Sequence, residues 1–217
     1  MTGLTTNQLW NLPAIGLPDR YDLFSKLIGD YLAGRFTTEN RAQFLEIGVW
    51  KASTLPNLVE DLGPIFNYVG VDPYGQLDDD YYRGPFGFWK TNREADKIYK
   101  QAKAEFDRLG ATLIRETSQN FFAHNTQKFD VIFVDGDHRY NGCLYDCEAS
   151  LKHIKPGGLL VIDDYGNSMH PEVEWAVREF YQKHKKRISR AGSHPLFFQL
   201  EGQIAPIMLA FICFEIN

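Results

Sequence analysis

Acidic residues lie at the points where several short apolar runs of this sequence end. They are Glu46, Asp72, Asp135, Asp137, Asp163 and Asp164. If these runs are parallel strands, their carboxyl ends meet at one edge of a sheet, where open α/β folds bind their ligands. Six carboxylates gathered there would raise one another's pKa values unless cations or hydrogen-bond donors lie among them. The pattern therefore indicates a site for a cationic ligand.

The apolar runs alternate with segments of helical periodicity, and this alternation predicts the fold. The runs that indicate strands are 44–49, 68–72, 111–115, 129–135 and 158–164. Helical patterns lie between or after them at 91–109, 141–154 and 171–185, and before them from Asp19 to Gly34. The last run, 206–216, has no helix after it and is expected to be an edge or antiparallel strand. We predict a doubly wound, mostly parallel, Rossmann-like α/β sheet with helices on both faces and a C-terminal antiparallel strand.

The composition fits a single domain over residues 1–217, with 1–40 as an N-terminal helical cap. The formal net charge of −5 gives no electrostatic footprint for nucleic acid or for an anionic membrane. The apolar runs are far shorter than the ~18 residues that span a bilayer, and the first residues do not resemble a signal peptide. Three cysteines cannot all pair, which suits a reducing compartment. We expect a cytoplasmic protein.

The turn after the first strand indicates a nucleoside ligand. Gly48 ends that strand, and Asp72 stands 24 residues later, where a strand-end acid can bind ribose hydroxyls. The glycine patterns of dinucleotide and ATP sites are absent, so these two ligands are disfavoured. Taken alone, the turn also fits an ordinary connection between a strand and a helix.

A more specific pattern is Asp135-Gly136-Asp137-His138, followed 28 residues after Asp135 by Asp163-Asp164-Tyr165-Gly166. With the first turn and Asp72, it resembles the class I S-adenosylmethionine (SAM) methyltransferases over about residues 42–182. The resemblance is to the cation-dependent small-molecule O-methyltransferases, which include catechol, caffeoyl-CoA, macrolide and aminocoumarin sugar O-methyltransferases. The run from Asp163 to Gly166 is closer to the sugar enzymes, since the catechol-type enzymes have Asp-Asn there.

The resemblance implies a cofactor, a metal ion and a role for each residue. Asp135, Asp163 and Asp164 would hold a divalent cation, usually Mg²⁺. Ser118 and Gln119 match a turn beside the adenine, and Ser53 or Thr54 would meet the cofactor carboxylate. The residues expected to bind SAM are Glu46, Gly48, Ser53, Asp72, Ser118, Gln119, Asp135 and Asp137.

The catalytic residues are expected to be His138 and Asp137. Catechol-type enzymes have a lysine where this chain has His138, and Asp137 matches a residue that acts as a base in some members and meets the methionine amino group in others. A chelated diol would be oriented and acidified, and one of these side chains would remove its proton as the oxygen attacks the sulfonium methyl group. A purely structural role for His138, and helix capping by the strand-end acids, are the alternatives.

Other features have structural interpretations. Cys143 and Cys147 lack the spacing of a zinc site and are expected to pack in the core. The basic run 183–187 is expected to be a solvated helix end, and His170 is either a loop residue or part of the site. Segment 73–90 is a candidate lid, whose aromatic residues would line the substrate site or pack onto the domain.

These patterns predict a SAM-dependent, Mg²⁺-assisted O-methyltransferase acting on a hydroxyl of a small molecule such as a sugar, a diol or a phenol. The alternatives are a metal-independent methyltransferase acting on nitrogen or a carboxylate, and a non-catalytic nucleoside-binding protein with this fold. A redox hydroxylase would need a redox metal and is disfavoured, because no set of two histidines and a carboxylate is evident in the sequence. The expected partner is the acceptor, with no nucleic acid or membrane, and a homo-oligomer is left open.

Overall fold

The computed structural model of the chain describes residues 20–75, 89–200 and 203–217. The strands are β1 (Ala42–Ile47), β2 (Phe66–Val71), β3 (Thr112–Ile114), β4 (Phe129–Val134), β5 (Ile154–Ile162), β6 (Ile188–Leu200) and β7 (Gln203–Ile216). The helices are α1 (Arg20–Leu32), α2 (Thr54–Leu62), α3 (Asn92–Arg108), α4 (Ser118–His124), α5 (Tyr140–His153) and α6 (Pro171–His184). None of the helices in these residues is long and apolar enough to cross a membrane.

The described strands form one sheet in the order β3-β2-β1-β4-β5-β7-β6. The first five strands run parallel, and β7 runs antiparallel to both β5 and β6. The chain builds outward from β1 in one direction and then restarts from β4 in the other, so these two strands flank the switch point at which such sheets bind ligands. Ile47 pairs with both Val71 and Val134, and Val134 pairs with Ile162. The ends of four neighbouring strands are therefore level.

Both faces of the sheet are covered, as the continuous apolar strands require. One face packs against α1, α2 and α3 in a cluster that contains Phe44 and Phe133. The other packs against α4, α5 and α6 in a cluster that contains Ile132, Cys143 and Cys147. The expected packing role of these two cysteines is confirmed, since they are 2% and 0% exposed.

The predicted α/β sheet is confirmed, with differences at its edge and in one helix. The last strand is antiparallel as predicted, but it lies inside the sheet, and the edge strand beyond it is β6, which the sequence patterns do not indicate. The residues of β6 include a glycine, a proline and several polar side chains, so they form no continuous apolar run. Ser118 and Gln119, expected in a turn, begin α4, whose seven residues are too few for a clear helical period.

The greater part of the candidate lid, 76–88, and residues 1–19 of the predicted cap lie outside the described residues.

Gly48 permits the close approach of the ends of β1 and β4. Its φ of +87° lies in the left-handed region, and a Cβ atom there would lie 2.0 Å from the carbonyl oxygen of Asp135. The two strand ends are also joined by a hydrogen bond of 2.8 Å from the Asp135 N–H to the Ile47 carbonyl. The glycine is therefore needed for the sheet geometry itself, before any ligand is considered.

We predict that Gly48→Ala destabilises the fold far more than Gly110→Ala. Gly110 has a φ of +70° and nothing within 4 Å of its Cβ position. Gly110→Ala is therefore a control that has the conformational cost of a side chain at positive φ but no steric clash. We expect a loss of about 1 kcal/mol in the free energy of unfolding for Gly110→Ala. The loss for Gly48→Ala should be about 3 kcal/mol, because the new methyl group also displaces backbone. Urea unfolding measures both values, and equal losses would contradict the steric argument.

Candidate active site

A cavity of about 270 Å³ opens where β1, β2 and β4 end. Of the residues predicted to act in the site, its lining includes Glu46, Gly48, Ser53, Asp72, Ser118, Gln119, Asp135, Asp137, His138 and Asp164. Asp163 does not line the cavity and is only 2% exposed. The structure thus brings the predicted residues to one place, as the level strand ends require.

Three of these acids form a tight cluster, which we call the acid cluster: Asp135, Asp163 and Asp164. Each of the three residues has one carboxylate oxygen that lies within 4.8 Å of a carboxylate oxygen of each of the other two. Burial, with repulsion from Asp135, raises the pKa of Asp163 well above its usual range. The Oδ1 atom of Asp163 is buried and has no hydrogen-bond partner among the described residues. Hard carboxylate oxygens, one of them without a partner, are a donor set that fits Mg²⁺.

Two cationic side chains contact the acid cluster. Arg20, the first residue of α1, forms an ion pair with Asp163, and its Nη2 atom lies 3.4 Å from Oδ2 of Asp135. The Nε2 atom of His138 lies 3.0 Å from Oδ2 of Asp164 and 3.4 Å from Oδ1 of Asp135. Burial acts to lower the pKa of His138, but the two carboxylates outweigh it and raise the pKa to about 10. At neutral pH these two cations offset part of the cluster's negative charge.

His170 lies against His138 in the wall of the cavity. The two imidazole rings stack with centroids 4.2 Å apart and an angle of 22° between their planes. Burial and the neighbouring charge of His138 lower the pKa of His170, so this ring is the neutral member of the pair at neutral pH. Asp164, which contacts both rings, has a φ of +56°, a strained conformation of a kind that clusters at functional sites. Of the two interpretations left open for His170, the structure supports a position in the site. It also brings together two histidines and a carboxylate, His138, His170 and Asp164, with one ligand atom of each within 4.8 Å of the other two, a set that was not evident in the sequence.

Glu46 is a buried acid that lines the cavity and is 1% exposed. Burial raises the pKa of its carboxyl to about 8, although hydrogen bonds from the side chains of Thr54 and Tyr68 act to lower it. The Tyr68 hydroxyl donates to Oε2 over 3.0 Å. A carboxyl with this pKa would become fully ionised when a cationic ligand binds beside it. Glu46 therefore has the properties expected of a residue that recognises a positive charge.

Asp72 fixes the two turns that frame the cavity. Its Oδ2 atom accepts hydrogen bonds from the N–H groups of Val49 and Trp50, at 3.0 and 2.9 Å, and Oδ1 accepts one from Tyr74 at 2.9 Å. Trp50 and Tyr74 have φ values of +47° and +42°, so the bonds stabilise two strained turns. Burial raises the pKa of Asp72, and the backbone donors oppose this rise. A positioning role is thus evident, and the contact with ribose stays a prediction.

The remaining predicted cofactor residues lie around the same cavity. Asp137 pairs with the guanidinium of its neighbour Arg139, at 2.9 Å from Nε and 2.6 Å from Nη2. Ser118 begins α4, and its hydroxyl lies 3.3 Å from Oε1 of Gln119. Ser53 stands at the N-cap of α2 but makes no side-chain cap. Its hydroxyl is therefore not committed to capping that helix.

Two residues of the site were missed in the sequence. Asp146 on α5 lines the cavity, is 1% exposed, and has a pKa that burial raises to about 7. The sequence feature that could have indicated Asp146 is its position as an acid on the helix face that also contains Cys143 and Cys147. Arg20 had no comparable signal, because its contact with the acid cluster depends on how α1 approaches the sheet.

A protein of Acanthamoeba polyphaga mimivirus is similar to this chain over part of its length. The two are 28% identical over 141 residues, which is 63% of this chain and 58% of the viral protein. The chain thus spans less than two thirds of the length of that relative. The viral protein is described as uncharacterised, so it supplies no activity.

Several solved structures share the fold at low sequence identity. An O-methyltransferase from Bacillus cereus in complex with SAH (S-adenosylhomocysteine) has a TM-score of 0.53 and 16% identity, covering 89% of this chain and 79% of that one. TomG, an O-methyltransferase from Streptomyces achromogenes in complex with SAM, has a TM-score of 0.53 and 17% identity, covering 90% and 80%. An rRNA methylase from Streptococcus thermophilus has a TM-score of 0.55 and 14% identity, covering 88% and 94%. At these identities the likeness concerns the fold alone.

A family match covers the strands and turns that build the cavity. Residues 45–165 match a family described as a methyltransferase domain, a segment that includes all three members of the acid cluster. The match extends over more than half of the chain. The chain therefore belongs to this family of methyltransferase domains.

Proposed function

We propose that the chain is a SAM-dependent O-methyltransferase that uses a divalent cation, Mg²⁺, to hold a small-molecule acceptor. The observation that carries the proposal is that two members of the acid cluster, Asp135 and Asp164, line the same cavity as the turn at Gly48, at the switch point of the sheet, with Asp163 buried directly behind them. A cofactor site alone would not require three carboxylates within 4.8 Å of one another. A metal site alone would not require the turns that Asp72 fixes.

The charge of the cavity suits SAM, which carries a sulfonium and an ammonium group. Glu46 has a buried carboxyl that a cationic ligand would ionise, and Asp135 and Asp137 offer two further carboxylates close by. Ser118 and Gln119, on the α4 side of the cavity, would meet the nucleobase, and Asp72 would meet the ribose. Two structural neighbours whose names include SAM or SAH support this assignment.

Asp135, Asp163 and Asp164 would hold the ion. When bound, it would chelate and acidify an acceptor hydroxyl and offset the carboxylate charges that raise the pKa of His138. His138 then accepts the hydroxyl proton at Nε2, the atom that faces the cluster, while the stacked ring of His170 keeps the imidazole in place. The oxygen attacks the methyl carbon, the carbon–sulfur bond breaks, and SAH leaves as the neutral thioether.

The acceptor that we propose is a sugar, a diol or a phenol. Trp50, which is 40% exposed, lines the cavity and offers aromatic surface to a flat or sugar-like molecule, and Trp89 lines the cavity as a buried side chain. Adjacent oxygens on such a molecule would suit chelation. The names of the O-methyltransferase neighbours support transfer to oxygen.

One observation favours a second candidate, a metal-independent methyltransferase acting on nitrogen or a carboxylate. Arg20 and His138 already supply positive charge to the acid cluster, so an ion is not needed to offset its repulsion. In such an enzyme the cluster would bind the acceptor directly. The two candidates differ in their response to chelators.

Binding of SAH tests the cofactor site. Isothermal titration calorimetry with SAH should show one site with micromolar affinity. Asp72→Asn should weaken it about tenfold, because the new amide group turns a donor toward the backbone N–H groups of Val49, Trp50 or Tyr74. Asp30→Asn, the same change at an exposed ion pair on α1, should leave the affinity unchanged. Absence of SAH binding at millimolar concentration would overturn the proposed function.

Dependence of turnover on Mg²⁺ tests the metal site. Transfer of a labelled methyl group from SAM to a panel of vicinal diols, sugars and phenols should fall at least about 100-fold after EDTA treatment and return with Mg²⁺. Asp164→Asn should cause a similar loss that Mg²⁺ does not restore, whereas Asp107→Asn, at an exposed pair on α3, should not. Turnover that persists in EDTA would favour the metal-independent candidate.

A further inference from the structure

The position of Arg20 has a consequence that rests on the proposed function. Its guanidinium contacts two of the three proposed metal ligands, Asp135 and Asp163. We propose that Arg20 is an exchangeable cation: it neutralises the acid cluster when no ion is bound and has to leave when the divalent ion enters. Arg20 would thereby set the metal affinity of the enzyme.

The electrostatics of the cluster favour a cation beside the carboxylates in either state. The side chain of Asp163 is 1% exposed, and its neighbours Asp135 and Asp164 are acids, so an unpaired charge there would be costly. The guanidinium can supply the compensating charge, and a divalent ion bound by the same oxygens can do so too. The two cations would compete because they use the same carboxylates.

Exchange requires movement of one long side chain rather than of the fold. α1 is anchored by Leu23, Phe24 and Leu27, which are buried against the sheet. The side chain of Arg20 is 26% exposed and lies at the first position of that helix, where it has access to solvent. His138 contacts Asp164 and Asp135 from another element, so the departure of Arg20 does not require the His138 ring to move.

A tethered competitor makes the metal affinity weaker than the carboxylates alone would give. Removal of the guanidinium should therefore tighten metal binding. Removal of a positive charge elsewhere on α1 changes only the long-range electrostatic potential at the acid cluster, which salt screens, and should leave the metal affinity unchanged. Lys26 provides this control, because it lies on the same helix and pairs with Asp30 at the surface.

The test is direct titration of the apoprotein with Mn²⁺, with free Mn²⁺ measured by electron paramagnetic resonance. Arg20→Ala and Arg20→Gln should lower the Kd for Mn²⁺ about tenfold relative to the wild type. Lys26→Ala should leave the Kd unchanged. Asp163→Asn should abolish binding in the wild-type and Arg20→Ala backgrounds, which ties the signal to the acid cluster.

Thermal unfolding provides a second measurement that does not depend on turnover. Without metal, Arg20→Gln should have a lower Tm than the wild type, since the cluster has lost its internal cation. Saturating Mn²⁺ should raise the Tm of this variant more than that of the wild type, because tighter binding gives more stabilisation.

The outcomes separate this inference from the proposed function. If Mn²⁺ binds and Asp163→Asn abolishes binding, but the Arg20 variants bind no more tightly than Lys26→Ala, the exchange role is wrong and the metal site stands. If neither the wild type nor Arg20→Gln binds Mn²⁺ at millimolar concentration while SAH binds, the metal site and the inference both fail. The second candidate function would then be favoured.

Discussion

The constraint on which this structure depends is the repulsion among carboxylates at one edge of the sheet. Because β1, β2, β4 and β5 end at the same level, the acids in or just after their last residues are brought close together. Each is accommodated differently: Glu46 by a raised pKa, Asp72 by three backbone donors, and the acid cluster by two cationic side chains. A fold that gathers negative charge in this way is suited to a positively charged cofactor and to a hard cation.

The backbone around the cavity carries strain that the surrounding contacts maintain. Four non-glycine residues of the described chain have positive φ values, and all four lie in the turns around the cavity: Trp50, Ala52, Tyr74 and Asp164. The Asp72 carboxylate and the hydrogen bond from the Tyr74 hydroxyl to the Trp50 carbonyl hold two of these turns together. Such preorganisation suits methyl transfer, in which the main task of a protein is to fix the line of attack.

Much of the fold could be predicted from the sequence, because each parallel strand contains a short, mainly apolar run and each long helix has a clear period. The edge strand β6 could not, since it pairs on one side only and needs no such run. In the site, the convergence of the acids followed from the rule that ligands bind at the ends of parallel strands. The contact of Arg20 with Asp163, between residues 143 positions apart, depends on the packing of α1 and could not be predicted. Asp146 could have been found as an acid on a buried helix face.

The central claim is that the acids hold a SAM-type cofactor beside a divalent ion in one cavity. A crystal structure of the protein soaked with SAH and Mn²⁺, with anomalous diffraction data, tests it most directly. The account predicts an anomalous peak bound by oxygens of Asp135, Asp163 and Asp164, with the SAH sulfur in the same cavity. SAH bound in the cavity with no peak at the acid cluster, or SAH bound elsewhere, would contradict it.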